Sequence, residues 1–139
     1  MSRGLGDVYK RQKEYAIADT NEVQSVTTAA AGECDVLYIP TDNTLASVTE
    51  TVYNVVAPAK IPVIAGEEGI CNGCGVATLS ISYYDLGYAT GEMAYEILAE
   101  GADITTMDVR YAPNVTKKYN AKICEELGIT VPDDYVAIQ

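Results

Sequence analysis

The sequence predicts an α/β fold, a three-layer lobe in which a parallel sheet is covered on both faces. Two observations carry that expectation. From Glu14 onward, short apolar runs alternate with stretches of helical periodicity. The runs are continuously apolar, as strands buried on both faces are. A third observation bears on function: polar loops follow two of the runs, at the strand ends where such sheets bind ligands.

The elements follow in chain order. Tyr15-Ala16-Ile17-Ala18 is a short apolar run that reads as a strand. Thr20 or Asn21 can cap a helix by accepting from its free first-turn amides, and Val23, Val26, Thr27 and Ala30 follow at helical spacing up to Gly32. Cys34-Asp35-Val36-Leu37-Tyr38-Ile39-Pro40 is the clearest strand, with Tyr38 expected in the core. Leu45, Val48, Val52 and Val55 or Val56 form a helical stripe up to Pro58. Residues 60–65 and 76–81 are further strands, joined by a Gly-rich connection. A long helix is expected over 83–100, with Leu86, Ala89, Met93, Ile97 and Leu98 inward. Residues 106–111 suggest a strand, and Asn114 or Thr116 can open a last helix reaching Leu127 and Gly128.

Composition bounds the possibilities. A chain of 139 residues, 48% of them hydrophobic, has enough apolar material for one packed domain. No apolar run approaches the roughly 18 residues that cross a bilayer. The net charge of −11 repels phosphate backbones, so nucleic acid is not an expected partner. The absence of His removes Ser–His and Cys–His nucleophile pairs and His-containing metal sets from this chain. Cys71 and Cys74 form a lone C-x-x-C with no second pair to complete a zinc site. Lying between two strands, they read as incidental or structural thiols, with a local disulfide or redox chemistry as alternatives. No cofactor and no metal site is expected. Residues 1–12 (MSRGLGDVYKRQ) show no sustained period and no apolar signal region. They resemble translated sequencing adapter and are read as a non-native leader.

Four segments, in this order and spacing, resemble a known family. They are Asp35-Val36-Leu37-Tyr38-Ile39-Pro40-Thr41-Asp42-Asn43-Thr44, then Ala59-Lys60-Ile61-Pro62-Val63-Ile64-Ala65-Gly66-Glu67-Glu68-Gly69, then Ala77-Thr78-Leu79-Ser80-Ile81-Ser82-Tyr83-Tyr84-Asp85-Leu86-Gly87, and Leu127-Gly128-Ile129-Thr130-Val131-Pro132. Together they resemble the ABC transporter substrate-binding family that includes tryptophan- and tyrosine-type binding lipoproteins. The resemblance implies a type 1 periplasmic-binding-protein fold, with two α/β lobes and ligand between them. It implies that residues 13–81 belong to the second lobe, that 82–113 cross to a first lobe mostly absent here, and that 114–139 return. It further implies an extracytoplasmic protein, monomeric when complete, serving an ABC permease and held to the membrane only through a lipid anchor missing from this chain. The family often has an acidic residue where this chain has Ser82, which removes one charge that could pair with a ligand amine.

The candidate ligand contacts are Thr41, Asp42, Asn43, Thr44, Glu67, Glu68, Ser82 and Tyr83. Asp42 offers an anion for an ammonium group, and Asn43, Thr44 and nearby amides offer donors for a carboxylate. Asp42 can equally cap the following helix, and both roles can hold together. Glu67 and Glu68 are either cleft residues or solvated surface, and Ser82 can touch ligand or cap. Tyr83 and Tyr84 can supply aromatic platforms or simple packing. The resemblance implies capture of a small polar solute for import, and an aromatic amino acid as that solute is what the resemblance alone implies. The alternative is the ligand-sensing domain of a transcriptional or signalling regulator of the same fold. An enzyme is not expected, because no G-x-G-x-x-G, G-x-S-x-G or P-loop is present.

Overall fold

The structure is a computed structural model that describes residues 11–138. The leader expected over 1–12 lies outside the described residues, apart from Arg11 and Gln12. The described chain forms α1 (Val23–Glu33), β1 (Leu37–Ile39), α2 (Asn43–Ala46), α3 (Thr49–Ala59), β2 (Val63–Ala65) and α4 (Glu68–Cys74). These are followed by β3 (Ala77–Ile81), α5 (Tyr83–Leu98), a 3-10 turn (Ile104–Thr106), β4 (Val115–Tyr119), α6 (Ala121–Leu127) and β5 (Val136–Ala137).

One five-stranded sheet runs in the order β1-β2-β3-β4-β5. The parallel sheet expected from the sequence extends over β1, β2 and β3, while β4 runs antiparallel to β3 and β5 parallel to β4. The register aligns Ile39 with Ala65 and Ala65 with Thr78, so Ile39, Val63, Ala65, Thr78 and Ser80 share one face. That face is buried beneath α1, α3 and α4 through Val23, Val52, Val56, Ile70, Cys71 and Cys74. Each fully buried aliphatic side chain here contributes about 1.5–3 kcal/mol. A second, smaller cluster of Val76, Ile123 and Cys124 seats α6 at the foot of β3, and Asn120 caps that helix by accepting from the Ile123 amide at 3.2 Å. The other face of the sheet is different: Tyr38, Ile64 and Leu79 stand exposed on it. The core position expected for Tyr38 is thus overturned, because no described helix covers its side of β1.

Several local expectations also change. Residues 15–18 form no strand, since nothing hydrogen-bonds to them along a ladder. The first helix begins at Val23 after Glu22, without a side-chain cap from Thr20 or Asn21, and Asn21 instead turns its amide to Asp19. The single stripe from Leu45 to Pro58 is divided, with α2 and α3 meeting at Ser47 and Val48. Residues 106–111 are not a strand. The strand lies at 115–119, and the last helix opens at Asn120 rather than Asn114 or Thr116. A β-branched start (Val115, Thr116) and a ladder against β3 outweigh the helix-compatible lysines Lys117 and Lys118.

The expected long helix is present as α5, but none of its residues is buried. Leu86, Ala89, Met93 and Ile97 are half-buried and Leu98 is exposed. The segment after α5 folds back along it, tied by two hydrogen bonds from the Arg110 guanidinium to the Glu96 carboxylate at 2.6 and 2.8 Å. This excursion leaves the sheet at Ile81 and rejoins it at Val115, and those two residues are register partners.

Candidate ligand-binding site

Because β1, β2 and β3 are parallel, their carboxyl ends lie at one edge of the sheet. Thr41, Asp42, Asn43 and Thr44 follow β1, Glu67 and Glu68 follow β2, and Ser82 and Tyr83 follow β3. The three loops therefore form one rim. The first two are in direct contact: the Gly66 amide donates to the Ile39 carbonyl at 2.7 Å, and the Thr41 hydroxyl donates to the Gly66 carbonyl at 3.3 Å. Only glycine fits there, since a Cβ on Gly66 would lie 2.6 Å from the Thr41 nitrogen.

Five of the eight candidate side chains, those of Thr41, Asp42, Glu67, Glu68 and Ser82, have a structural partner. Asp42 caps α2, accepting from the Leu45 amide at 2.8 Å through Oδ1. Glu67 caps α4, accepting from the Gly69 amide at 2.7 Å and from the Ile70 amide. Ser82 caps α5, accepting from the Asp85 amide at 3.1 Å. These are the positions where short polar or acidic side chains satisfy free first-turn amides. The acidic caps also lie at the positive ends of helix dipoles. Glu68 is held differently. Its Oε2 accepts from Lys118 Nζ on β4 at 2.7 Å and from the Ser80 hydroxyl on β3 at 2.9 Å. The Lys118 ammonium, aided by Ser80, holds the Glu68 carboxyl below the usual carboxylate range against a smaller opposing effect of burial. Beside this network, the Thr78 hydroxyl is buried with no hydrogen-bond partner among the described residues.

What stays available on the rim is the second oxygen of Asp42, the exposed Asn43 and Thr44, and the ring of Tyr83, which is 60% exposed. Lys118 was missed from the sequence because the strand that carries it was placed elsewhere. Its sole signal was a paired lysine beside a hydrophobic stretch.

The C-x-x-C also changes character. Cys71 and Cys74 lie on α4, a helix that follows β2, and not in an irregular connection. The strand-to-helix setting is the one a redox motif would use. Yet both thiols are fully buried and burial pushes each up to about 12, which disfavours the thiolate. All four cysteines are free. The described residues contain no group of three or more potential metal ligands, and no described helix is long and apolar enough to cross a membrane.

The family model for ABC transporter substrate binding protein matches residues 11–138. The chain belongs to that family. A relative, the tyrosine-binding protein of Clostridioides difficile (strain R20291), is 40% identical over 100 residues, covering 68% of the chain and 29% of the relative. Solved structures agree. The ligand-free, open form of a substrate binding protein with adhesive properties from Clostridium difficile matches with a TM-score of 0.70 and 34% identity, over 97% of this chain and 48% of that one. An ABC domain from Streptococcus pneumonia in complex with L-Trp matches with a TM-score of 0.77 and 30% identity, over 91% and 45%. A conserved domain protein from Vibrio cholerae matches with a TM-score of 0.75 and 31% identity, over 88% and 43%. The chain thus spans about half the length of the solved relatives and 29% of the curated one.

Proposed function

We propose that the full-length protein is the extracytoplasmic solute-binding component of an ABC importer and that it captures an aromatic amino acid between two lobes. The carrying observation is the common rim of three polar loops at the carboxyl ends of β1, β2 and β3, in a chain of this family. The tyrosine-binding relative and the L-Trp-bound neighbour support the ligand class. In this reading the free oxygen of Asp42 receives the ligand ammonium. Asn43, Thr44 and the Thr41 loop amides serve the ligand carboxylate, and Tyr83 stacks on the ring. Glu67 and Ser82 shape the rim as caps. Glu68, compensated by Lys118, adds little net charge to it. Residues 82–113 cross to the other lobe and 114–139 return. The protein binds and releases its ligand without transforming it, delivers it to a permease, and is a monomer tethered by a lipid anchor.

Isothermal titration of the full-length protein with L-tyrosine and L-tryptophan tests the reading. Binding of either is expected. Asp42→Asn keeps a good helix cap and removes the charge, so affinity falls at least about tenfold while the melting temperature holds. The absence of heat with every amino acid tried removes the proposal. Unchanged affinity in the variant removes the role of Asp42.

A further inference from the structure

Asp42, Glu67 and Glu68 bring three carboxylates to the rim. Asp42 precedes α2, Glu67 and Glu68 open α4, and those two helices pack together. Asp42 accepts from one helix-start amide and Glu67 from two. Such amides carry only partial positive charge. Glu68 alone is answered by a full cation. Among the described residues, Lys118 is the only cation that pairs with a rim carboxylate. The other ion pairs join Lys13 to Glu33, Arg110 to Glu96, Lys117 to Asp134 and Lys122 to Glu126.

Lys118 does not belong to a rim loop. It lies on β4 opposite Thr78, and in an antiparallel pair both side chains leave the same face of the sheet. The Thr78 hydroxyl is buried and has no hydrogen-bond partner among the described residues. Lys118 passes it by. Its Nζ donates to Glu68 Oε2 at 2.7 Å, and the Ser80 hydroxyl donates to the same oxygen at 2.9 Å. Leaving a buried hydroxyl unsatisfied is destabilising, and local concessions of this kind collect at functional positions. The ammonium is spent on the charge of Glu68 and not on the polar group directly across the ladder.

We propose that Lys118 sets the charge class of the ligand: by cancelling Glu68 it leaves Asp42 alone to meet the α-ammonium, so the rim selects amino acids with uncharged side chains over those carrying a second cation. Lys118 acts through Glu68 and touches no ligand, which makes it a positioning residue. This role rests on the solute-binding reading of the rim and adds to it the charge of the side chain accepted. With Lys118 in place, one open carboxylate oxygen faces one ammonium. Without it, Glu68 becomes a second uncompensated anion beside Asp42, and a ligand with a cationic side chain gains most. One unbalanced charge acting over about 10 Å in half-solvated surroundings changes a binding constant about threefold.

Competitive isothermal titration of the full-length protein with L-tyrosine and 4-(aminomethyl)-L-phenylalanine tests this. The analogue keeps the ring and both α-groups and adds one positive charge. The quantity read is the ratio of the two dissociation constants. Lys118→Met is expected to shift it about threefold toward the cationic analogue. Glu68→Gln leaves Lys118 uncancelled and is expected to shift it about threefold toward tyrosine. Lys118→Arg keeps the parent ratio, and Lys118→Met combined with Glu68→Gln returns to it. A merely structural role weakens both ligands alike. An unmoved ratio in the single variants therefore overturns the role of Lys118, while tyrosine binding by the parent leaves the solute-binding reading standing. A parent that binds neither tyrosine nor tryptophan removes that reading, and the role of Lys118 with it. Glu68→Gln decides alone if Lys118→Met does not fold.

Discussion

At the residue scale, three of the side chains proposed to form the binding rim also cap helices. Glu67 is the clearest case of structure: two amides depend on it, so Glu67→Ala is expected to cost about 1 kcal/mol in chemical denaturation, with or without ligand. Glu68 gives a pH signature. Its folded pKa lies below the unfolded one, so its contribution is present at neutral pH and is lost as pH falls through the carboxylate range. The side chains of Glu68 and Lys118 remain 38% and 28% exposed, which limits the pair to about 0.5–1 kcal/mol. Glu68→Gln is therefore expected to be less stable than the parent by that amount at pH 7 and equal to it near pH 3, read from urea unfolding at each pH. The candidate rim residues were legible in the sequence because strand-end loops announce themselves by composition. Lys118 was not legible, since its significance exists only across a ladder with Thr78.

At the element scale, local pattern located most helices and the three parallel strands, and it failed where tertiary pairing decides. The 115–119 segment is a strand because β3 offers it an antiparallel edge. The α4 helix was hidden by glycines within it and at its end, and Gly73 inside the helix and Gly75 at its C-cap each meet a need of packing. A Cβ on Gly73 would lie 2.1 Å from the Thr49 hydroxyl of α3, and one on Gly75 would lie 2.9 Å from the Cys71 Cα. Gly73→Ala is expected to cost about 1–3 kcal/mol through forced separation of α3 and α4, measured by thermal or urea unfolding. Burial makes a parallel prediction for the thiols. Cys34 is half-buried while Cys71, Cys74 and Cys124 are buried, so a disulfide-exchange dye at pH 8 is expected to label Cys34 first. The other three react only as the protein unfolds.

At the scale of the whole molecule, the alternation of apolar runs and helices was enough to name an α/β lobe, and four short segments were enough to name the family. The mixed direction of the sheet and its uncovered face were beyond that reach. Strand polarity after residue 113 depends on where a long excursion lands, and coverage of a face depends on which side of the sheet the helices pack. Tyr38 shows the limit well: an aromatic residue in a strong strand, flanked by apolar neighbours, is 68% exposed because the described helices pack on the other face of the sheet.

The meeting of Ile81 and Val115 as register partners makes residues 82–114 topologically a very large hairpin loop. Its two feet are one rung apart, so the remainder of the lobe has no need of its length. Replacing the whole excursion with Asn-Gly, the dipeptide suited to tight reversals, leaves β3 and β4 zipped in the same register. Shortening the loop also lowers the entropic cost of closure. Such a pruned module is expected to keep the sheet's far-ultraviolet circular dichroism while shedding the signal of α5. The sheet can therefore exchange this excursion for another without redrawing the strand ends that carry the rim.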